Sequence, residues 1–265
     1  MILLFLLNIY IDNSTKIYAG IQSNGMGGIT TLVDEGLSVF HNPAINFRTK
    51  FNFIIGRWLY GTDMITFGAS YKNNALGIYY LDYGDIQGYD EYGIPTNRFS
   101  PYDLNIGLGR SFGPAGICIK SFQSRIDSVT FMGIAVGSGL IFNVSNFSFG
   151  VKIDNIGGEI IHKVDVPLFF AIGIKYDFFD DFAIFIEARG RDLELSSGLS
   201  YKYENLTIFS GLRYIKPAAY IEKPSLSDCH FSGGLSITFE EYELGYSFVY
   251  TQFSNAHQVG IKFIP

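Results

Sequence analysis

Four histidines are the side chains best suited to acid–base work or to holding a metal. His41, His162, His230 and His257 are scattered along the chain with no His-x-x-His spacing, and the single Glu-x-x-His, Glu159 to His162, has no second such pair to complete a metal site. Cys118 and Cys229 lack the C-x-x-C spacing of a zinc or dithiol site and are too few to staple a fold. A serine nucleophile calls for a G-x-S-x-G elbow at a strand-to-helix turn. The nearest approach, Ser138 between Gly137 and Gly139, lies inside an extended segment. Gly25-x-Gly27-Gly28 has the look of a phosphate-cradling loop but lacks the strand before it and the helix after it that such a loop needs. The chain therefore reads as a non-enzyme, with no catalytic residues, no cofactor and no metal.

Charged residues are ordered differently. Asp103, Lys120, Lys152, Lys175, Glu187, Arg189, Glu194, Lys202, Arg213, Glu241, Glu243 and Lys262 fall on the sequence parity shared by Gly and Ser, opposite the apolar parity. Both signs are present, so they can pair into ladders that hold an inner segment or line a polar path. A solvated interior with paired charges is the favoured reading over a selective binding site. Phe169, Phe185 and Phe209 share the polar parity and keep a hydrophobic pocket open as the alternative. With 19 Lys plus Arg against 25 Asp plus Glu, a net charge of -6 and no basic tract, a nucleic-acid partner held by its phosphates is excluded.

Positioning such a face is the work of β-strands. From Phe47 onward the chain alternates with period two. Leu168, Phe170, Ile172, Ile174 and Tyr176, for example, face away from Gly173 and Lys175, and Tyr242, Leu244, Tyr246, Phe248 and Tyr250 face away from Glu243, Gly245 and Ser247. Roughly fourteen such segments cover over half of the chain, against ~20–25% strand in an ordinary globular domain. The composition agrees: 48% hydrophobic, 17% charged, and 30 Gly among 265 residues. Alternating segments of ~10 residues in even number are the signature of a transmembrane β-barrel. The expected fold is all-β, an antiparallel up-and-down barrel of about 14 strands with an N-terminal plug segment in its lumen.

Connection lengths point the same way, because such barrels have short turns at one edge and long loops at the other. Asn73-Asn74, Gly113 to Ala115, Asn143 to Asn146, Phe179-Asp180, Glu204-Asn205 and Glu240-Glu241 are short and fall on one edge. Ile86 to Pro101, Ile156 to Asp165 and Ile215 to Asp228 are long and fall on the other. Tyr176, Tyr201, Tyr203, Tyr214, Tyr242 and Tyr250 stand at strand ends, where interfacial girdles lie.

The division expected is a signal peptide at 1–19, a plug or hatch segment at 20–46 and the barrel at 47–265. Met1 to Ile11 is an apolar run of signal-peptide length, and a cut after Ala19 is the reading, although no Lys or Arg precedes the run and Ile17 is larger than such sites prefer. A buried first strand is the alternative. Residues 20 to 46 do not alternate. They suit a compact insert whose glycines allow close backbone approach and whose Pro43 ends a short helical stretch.

Gly25-Met26-Gly27-Gly28, then Val33-Asp34-Glu35, then Asn42-Pro43-Ala44 resemble the amino-terminal signature of the PorV/PorQ family of outer-membrane proteins, which share the FadL-like architecture. Tyr83-Gly84-Asp85, Tyr102-Asp103-Leu104, Asn155-Ile156-Gly157 and Val166-Pro167-Leu168 follow in order. The resemblance implies an exported barrel in the bacterial outer membrane, with Gly25, Met26, Gly27, Gly28, Asn42, Pro43 and Ala44 as the plug motif. It leaves two functions open. One is a secretion-associated factor of type IX kind, whose external loops, including the stretch around Tyr89, Tyr92 and Phe99, touch secretion machinery or cargo proteins. The other is a FadL-like transporter for small hydrophobic molecules. Outer-membrane lipid is the partner common to both.

Overall fold

A computed structural model describes residues 19–45, 50–58, 61–163, 166–190, 193–215, 228–251 and 254–265. The stretch read as a signal peptide, up to residue 18, and most of the loop after Ile215 lie outside the described residues. One short helix, α1 (Ile21–Gly25), precedes sixteen strands among the described residues. They are β1 (Lys50–Arg57), β2 (Asp63–Tyr71), β3 (Asn74–Asp82), β4 (Ile86–Tyr89), β5 (Pro95–Phe99), β6 (Tyr102–Phe112), β7 (Ala115–Ile126) and β8 (Val129–Val144). The second half holds β9 (Phe147–Glu159), β10 (Phe169–Phe179), β11 (Phe182–Arg189), β12 (Glu194–Tyr203), β13 (Leu206–Ile215), β14 (Cys229–Phe239), β15 (Tyr242–Tyr250) and β16 (Asn255–Phe263).

All of these except β4 and β5 form one closed antiparallel barrel of fourteen strands, in which β3 pairs β6 and β1 closes onto β16 from Phe51↔Phe263 to Arg57↔His257. Closure leaves no free edge strand in the wall. The two-residue turns carry a left-handed residue at Lys72, Ser145, Glu204 and Glu240 (φ 51–52°). That matches the twist a tight hairpin demands.

Outward residues form a continuous apolar belt. Phe51, Phe53 and Ile55 of β1, Ile117 and Ile119 of β7, Ile172 and Ile174 of β10 and Val259 and Ile261 of β16 are all exposed. A contiguous apolar surface beyond a few hundred Å² does not stay bare in water. In a bilayer it is the ordinary outer face of a barrel, ~25 Å tall between aromatic girdles. At the short-turn edge the rings cluster: Phe147–Tyr176 and Tyr176–Phe178 centroids are 4.6 Å apart, and Tyr242–Phe263 are 5.1 Å apart. At the long-loop edge Tyr80 lies 5.9 Å from Tyr102. Among the described residues no helix is long and apolar enough to cross a membrane.

Four local expectations are corrected. Ile86 to Pro101 is not a plain loop. It holds the ribbon β4–β5, closed by the Asp90 carboxylate accepting from the amides of Tyr92 and Ile94 at 2.9 and 2.8 Å. β9 runs on to Glu159, because a bulge at Asn155 (φ 62°) shifts the register without ending the pairing, so the next loop starts later than Ile156. The helical stretch lies at Ile21–Gly25, and before Pro43 there is only a turn in which the amides of Phe40 and His41 donate to the Leu37 carbonyl at 2.9 and 3.1 Å. Glu241 belongs to the turn after β14 and is exposed rather than set in the wall.

Candidate functional site: the occupied barrel interior

Residues 19–45 lie inside the barrel, almost all of them buried. The segment cannot form a strand or a long helix there, since it has neither period. Its backbone groups must find partners elsewhere, and the wall supplies them. α1 stops where Gly27 and Gly28 take φ of 73° and 80°, conformations costly for other residues. The Gly28 amide turns back to the Ser23 carbonyl at 2.8 Å, and the Gly27 amide donates to Ser232 Oγ of β14 at 2.8 Å. Ser232 Oγ in turn donates to the Gly25 carbonyl, and Ser196 Oγ of β12 donates to the Gly27 carbonyl.

The inward charges act on the same segment. Glu187 accepts from the amides of Thr30 and Thr31 at 2.8 and 2.7 Å and from the Thr31 hydroxyl at 2.6 Å. Arg189 Nε donates to the other Glu187 oxygen at 2.6 Å, its Nη1 lies 3.3 Å from Glu194, and its Nη2 donates to the Gly28 carbonyl. Lys152 Nζ donates to the Phe40 carbonyl at 3.1 Å and faces Asp154 at 3.6 Å, whose other oxygen meets Lys120 at 2.5 Å. Asn42 is a hub: its Nδ2 donates to the Thr31 carbonyl at 3.0 Å and stands 3.3 and 3.4 Å from the carbonyls of Leu140 and Val151. Its Oδ1 accepts the Ala44 amide at 3.0 Å, closing an Asx turn over Pro43.

Two further side chains clasp the start of the segment. Glu35 accepts the amides of Gln22 and Ser23 at 2.5 and 2.9 Å, and Asn52 of β1 donates to the Glu35 carbonyl at 2.8 Å. Burial pushes the Glu35 carboxyl up to about 7, against the pull of those amides. His41 Nε2 and the Ala19 carbonyl are 2.5 Å apart, and burial pushes the His41 imidazole down to about 4.

The wall makes room with glycine. Gly68 and Gly77 lie against Gly36, Leu37 and Phe40; Gly107, Gly116 and Gly139 against Val39, Pro43 and Asn42; Gly150 and Gly173 against Thr31; Gly198 and Gly211 against Met26; and Gly245 and Gly260 against Ile21. A Cβ at any of them would press inside van der Waals contact with the segment. Glycines or polar anchors from all fourteen barrel strands thus meet it. Its own Ile21, Met26, Ile29, Val33 and Leu37 then join Ile54, Met64, Tyr79, Leu81, Phe185 and Phe209 of the wall in one apolar core. A solvated interior was the expectation. The interior is instead packed, because the inward charges are consumed as anchors for the segment's backbone and the centre is left to apolar side chains.

The remaining inward residues sit at the edges. Arg213 Nη2 lies 2.9 Å from His230 Nδ1. Lys262 pairs with Glu243 at 2.6 Å and Lys50 with Asp34 at 2.5 Å. Lys175 pairs with Asp177 at 2.9 Å and, with Asp34, Leu32, Ile141 and Ser148, lines an open cavity of about 680 Å³ at the short-turn end. Lys202 shares the inward parity but is exposed at that same end. Thr30, Thr31, Asp154, Ser196 and Ser232 were not among the residues singled out from sequence, and Glu35 stood there only as part of the amino-terminal signature. The recurring inward Gly and Ser carried that signal, since a solvated wall has no need of so many small residues. Among the described residues no three His, Cys, Asp or Glu side chains gather as a metal site.

No protein-family profile matches the chain, and no curated protein matches it in sequence. Similar solved structures exist. A FadL homologue from Pseudomonas aeruginosa is 10% identical, with 93% of this chain and 98% of that one covered at a TM-score of 0.55. A TodX deltaS2S3 mutant, a monoaromatic hydrocarbon channel, is 12% identical, with 92% and 97% covered at a TM-score of 0.53. At these identities the likeness is one of fold: the chain is a transmembrane β-barrel of the outer-membrane type.

Proposed function

We propose that the protein is a bacterial outer-membrane transporter for small, largely apolar molecules, in which residues 20–45 are the plug and the gate. One observation carries the reading. The lumen of a fourteen-stranded barrel, wide enough to conduct, is filled by the chain's own amino-terminal segment, held mainly by hydrogen bonds and an apolar core rather than by covalent links. Such a filling blocks leakage at rest, and local rearrangement of a non-covalent segment opens a path whose walls include Phe185, Phe209, Met64 and Leu81. The resemblance in fold to a monoaromatic hydrocarbon channel and to a FadL homologue supports the same choice of cargo. The secretion reading has the ribbon β4–β5 in its favour, with Tyr89, Tyr92 and Ile94 exposed at the long-loop edge, but nothing else specific to it.

Ile21 and Gly245 offer a lock, because a Cβ on Gly245 would stand 3.4 Å from Ile21 Cβ, close to disulfide spacing. In proteoliposomes, the double variant Ile21→Cys/Gly245→Cys is expected to take up labelled toluene or a short fatty acid when reduced and to stop when oxidised. Uptake that is absent in wild type, or indifferent to the lock, sinks the proposal.

A further inference from the structure

Ala19 and Gly20 sit at a built site. Ala19 is 2% exposed within the apolar core, and its carbonyl is the partner of His41 Nε2. Gly20 has φ of 141°, open to glycine but rarely to other residues. A Cβ there would stand 3.1 Å from His41 Cε1 and closer still to the Glu35 carboxylate, so both groups lie against the Gly20 Cα. The Glu35 carboxylate is buried, and its oxygens accept the amides of Gln22 and Ser23 in α1. Lys262, which faces it from β16, is 2.6 Å from Glu243, and Lys50 is 2.5 Å from Asp34. A buried carboxylate without an adjacent cation is costly to keep ionised.

We propose that the Ala19–Gly20 peptide bond is hydrolysed during export and that the α-ammonium of Gly20 so formed is held in the lumen by Glu35 and His41. Water adds across the bond under a signal peptidase, leaving the Ala19 carboxylate on the departing leader and the ammonium on the mature chain. The reaction precedes barrel closure, because in the folded protein the bond is buried. The ammonium then donates to Glu35 and to His41 Nε2, which loses the Ala19 carbonyl in the same event. Burial keeps the His41 imidazole neutral, with its pKa near 4, so it is free to accept. The cut thus supplies the cation that completes the clasp at the head of the plug, and it couples leader removal to plug seating.

The test uses the full chain expressed with its leader and extracted from outer membranes in detergent. Intact mass and amino-terminal sequencing are expected to give Gly20 as the first residue. Amine-reactive labelling at neutral pH is expected to spare that terminus in the folded barrel. A carboxylate that raises the amine pKa by about one unit leaves roughly tenfold less reactive base than in the denatured chain. Glu35→Gln should restore labelling, and His41→Gln is the second variant if Glu35→Gln does not assemble. Any other mature terminus, or a Gly20 amine that labels as fast folded as denatured, overturns the proposal. Transport need not be measured, so its failure and failure of the transporter reading stay distinguishable.

Discussion

Arg189 is buried to its tip, and its guanidinium joins Glu187, Glu194 and the Gly28 carbonyl. Replacing it by Met keeps most of the volume but takes from Glu187 the guanidinium that lies 2.6 Å away. Breaking a buried pair in this way costs about 3–5 kcal/mol, which should appear as a lower urea midpoint for the detergent-embedded barrel. Adding Glu187→Gln to Arg189→Met should recover part of the loss. His41 predicts a pH dependence. Its folded pKa of about 4 lies below the unfolded value of 6.5, so the unfolded chain binds more protons between those limits. Stability therefore rises with pH across that window and is lost as pH falls through it, by about 3 kcal/mol, and His41→Gln should flatten the profile. Glu35 acts with the opposite sign. With its folded value near 7 against 4.5, stability falls as pH rises from 4.5 to 7 in a chain that retains Ala19. An ammonium at Gly20 removes that slope, so thermal midpoints of His41→Gln between pH 4.5 and 7 report which form is present.

At the scale of elements, the inner segment 19–45 and the wall are fitted to each other by absence of side chains. Gly139 faces Asn42 and Gly173 faces Thr31, each on an inward position of a strand that pairs normally with its neighbours. Gly173→Val should leave the ladder of β10 intact, since a β-branched residue suits a strand, and expel the segment around Thr31. The overpacking cost is about 1–3 kcal/mol. The expected readout is protease cleavage within residues 26–45 and a raised ion conductance in planar bilayers, with the barrel itself resistant. A variant that stays uncleaved and non-conducting would show that the close approach is not what seats the plug. The ribbon β4–β5 belongs to this scale too, because it leaves from β3 and returns to β6 without disturbing their pairing. Shortening it to a turn should not alter barrel stability.

For the molecule as a whole, the belt and girdles decide the solvent. Phe53, Ile119, Ile174 and Val259 face outward at mid-wall, so the folded barrel is expected to fractionate with the outer membrane and to need detergent for extraction. It should migrate faster on gels before boiling than after. A chain soluble in buffer alone would mean that this face is covered by protein instead of lipid. Filling the lumen with a second apolar core gives the barrel an inside and an outside that are both apolar, separated by a hydrogen-bonded wall. Neither face alone then has to carry its stability.

Period two in the sequence was enough to place nearly every wall strand and to assign its faces, because strand geometry sends successive side chains to opposite sides whatever the rest of the chain does. Turn and loop lengths alone sorted the two edges. The bulge at Asn155 escaped that reading, since it breaks parity for one residue while the ladder continues. Ribbon β4–β5 escaped as well, being too short and polar to alternate. Residues 19–45 have no period, and their path was not legible: Glu35 meets Gln22, Asn42 meets Leu140 and Gly27 meets Ser232 across separations of 13, 98 and 205 residues. Local sequence determined that there is a barrel and which residues point inward. Only closure of β1 onto β16 brought those inward glycines, hydroxyls and charges around one segment, because a ring of contacts from fourteen strands exists only once the ring is shut.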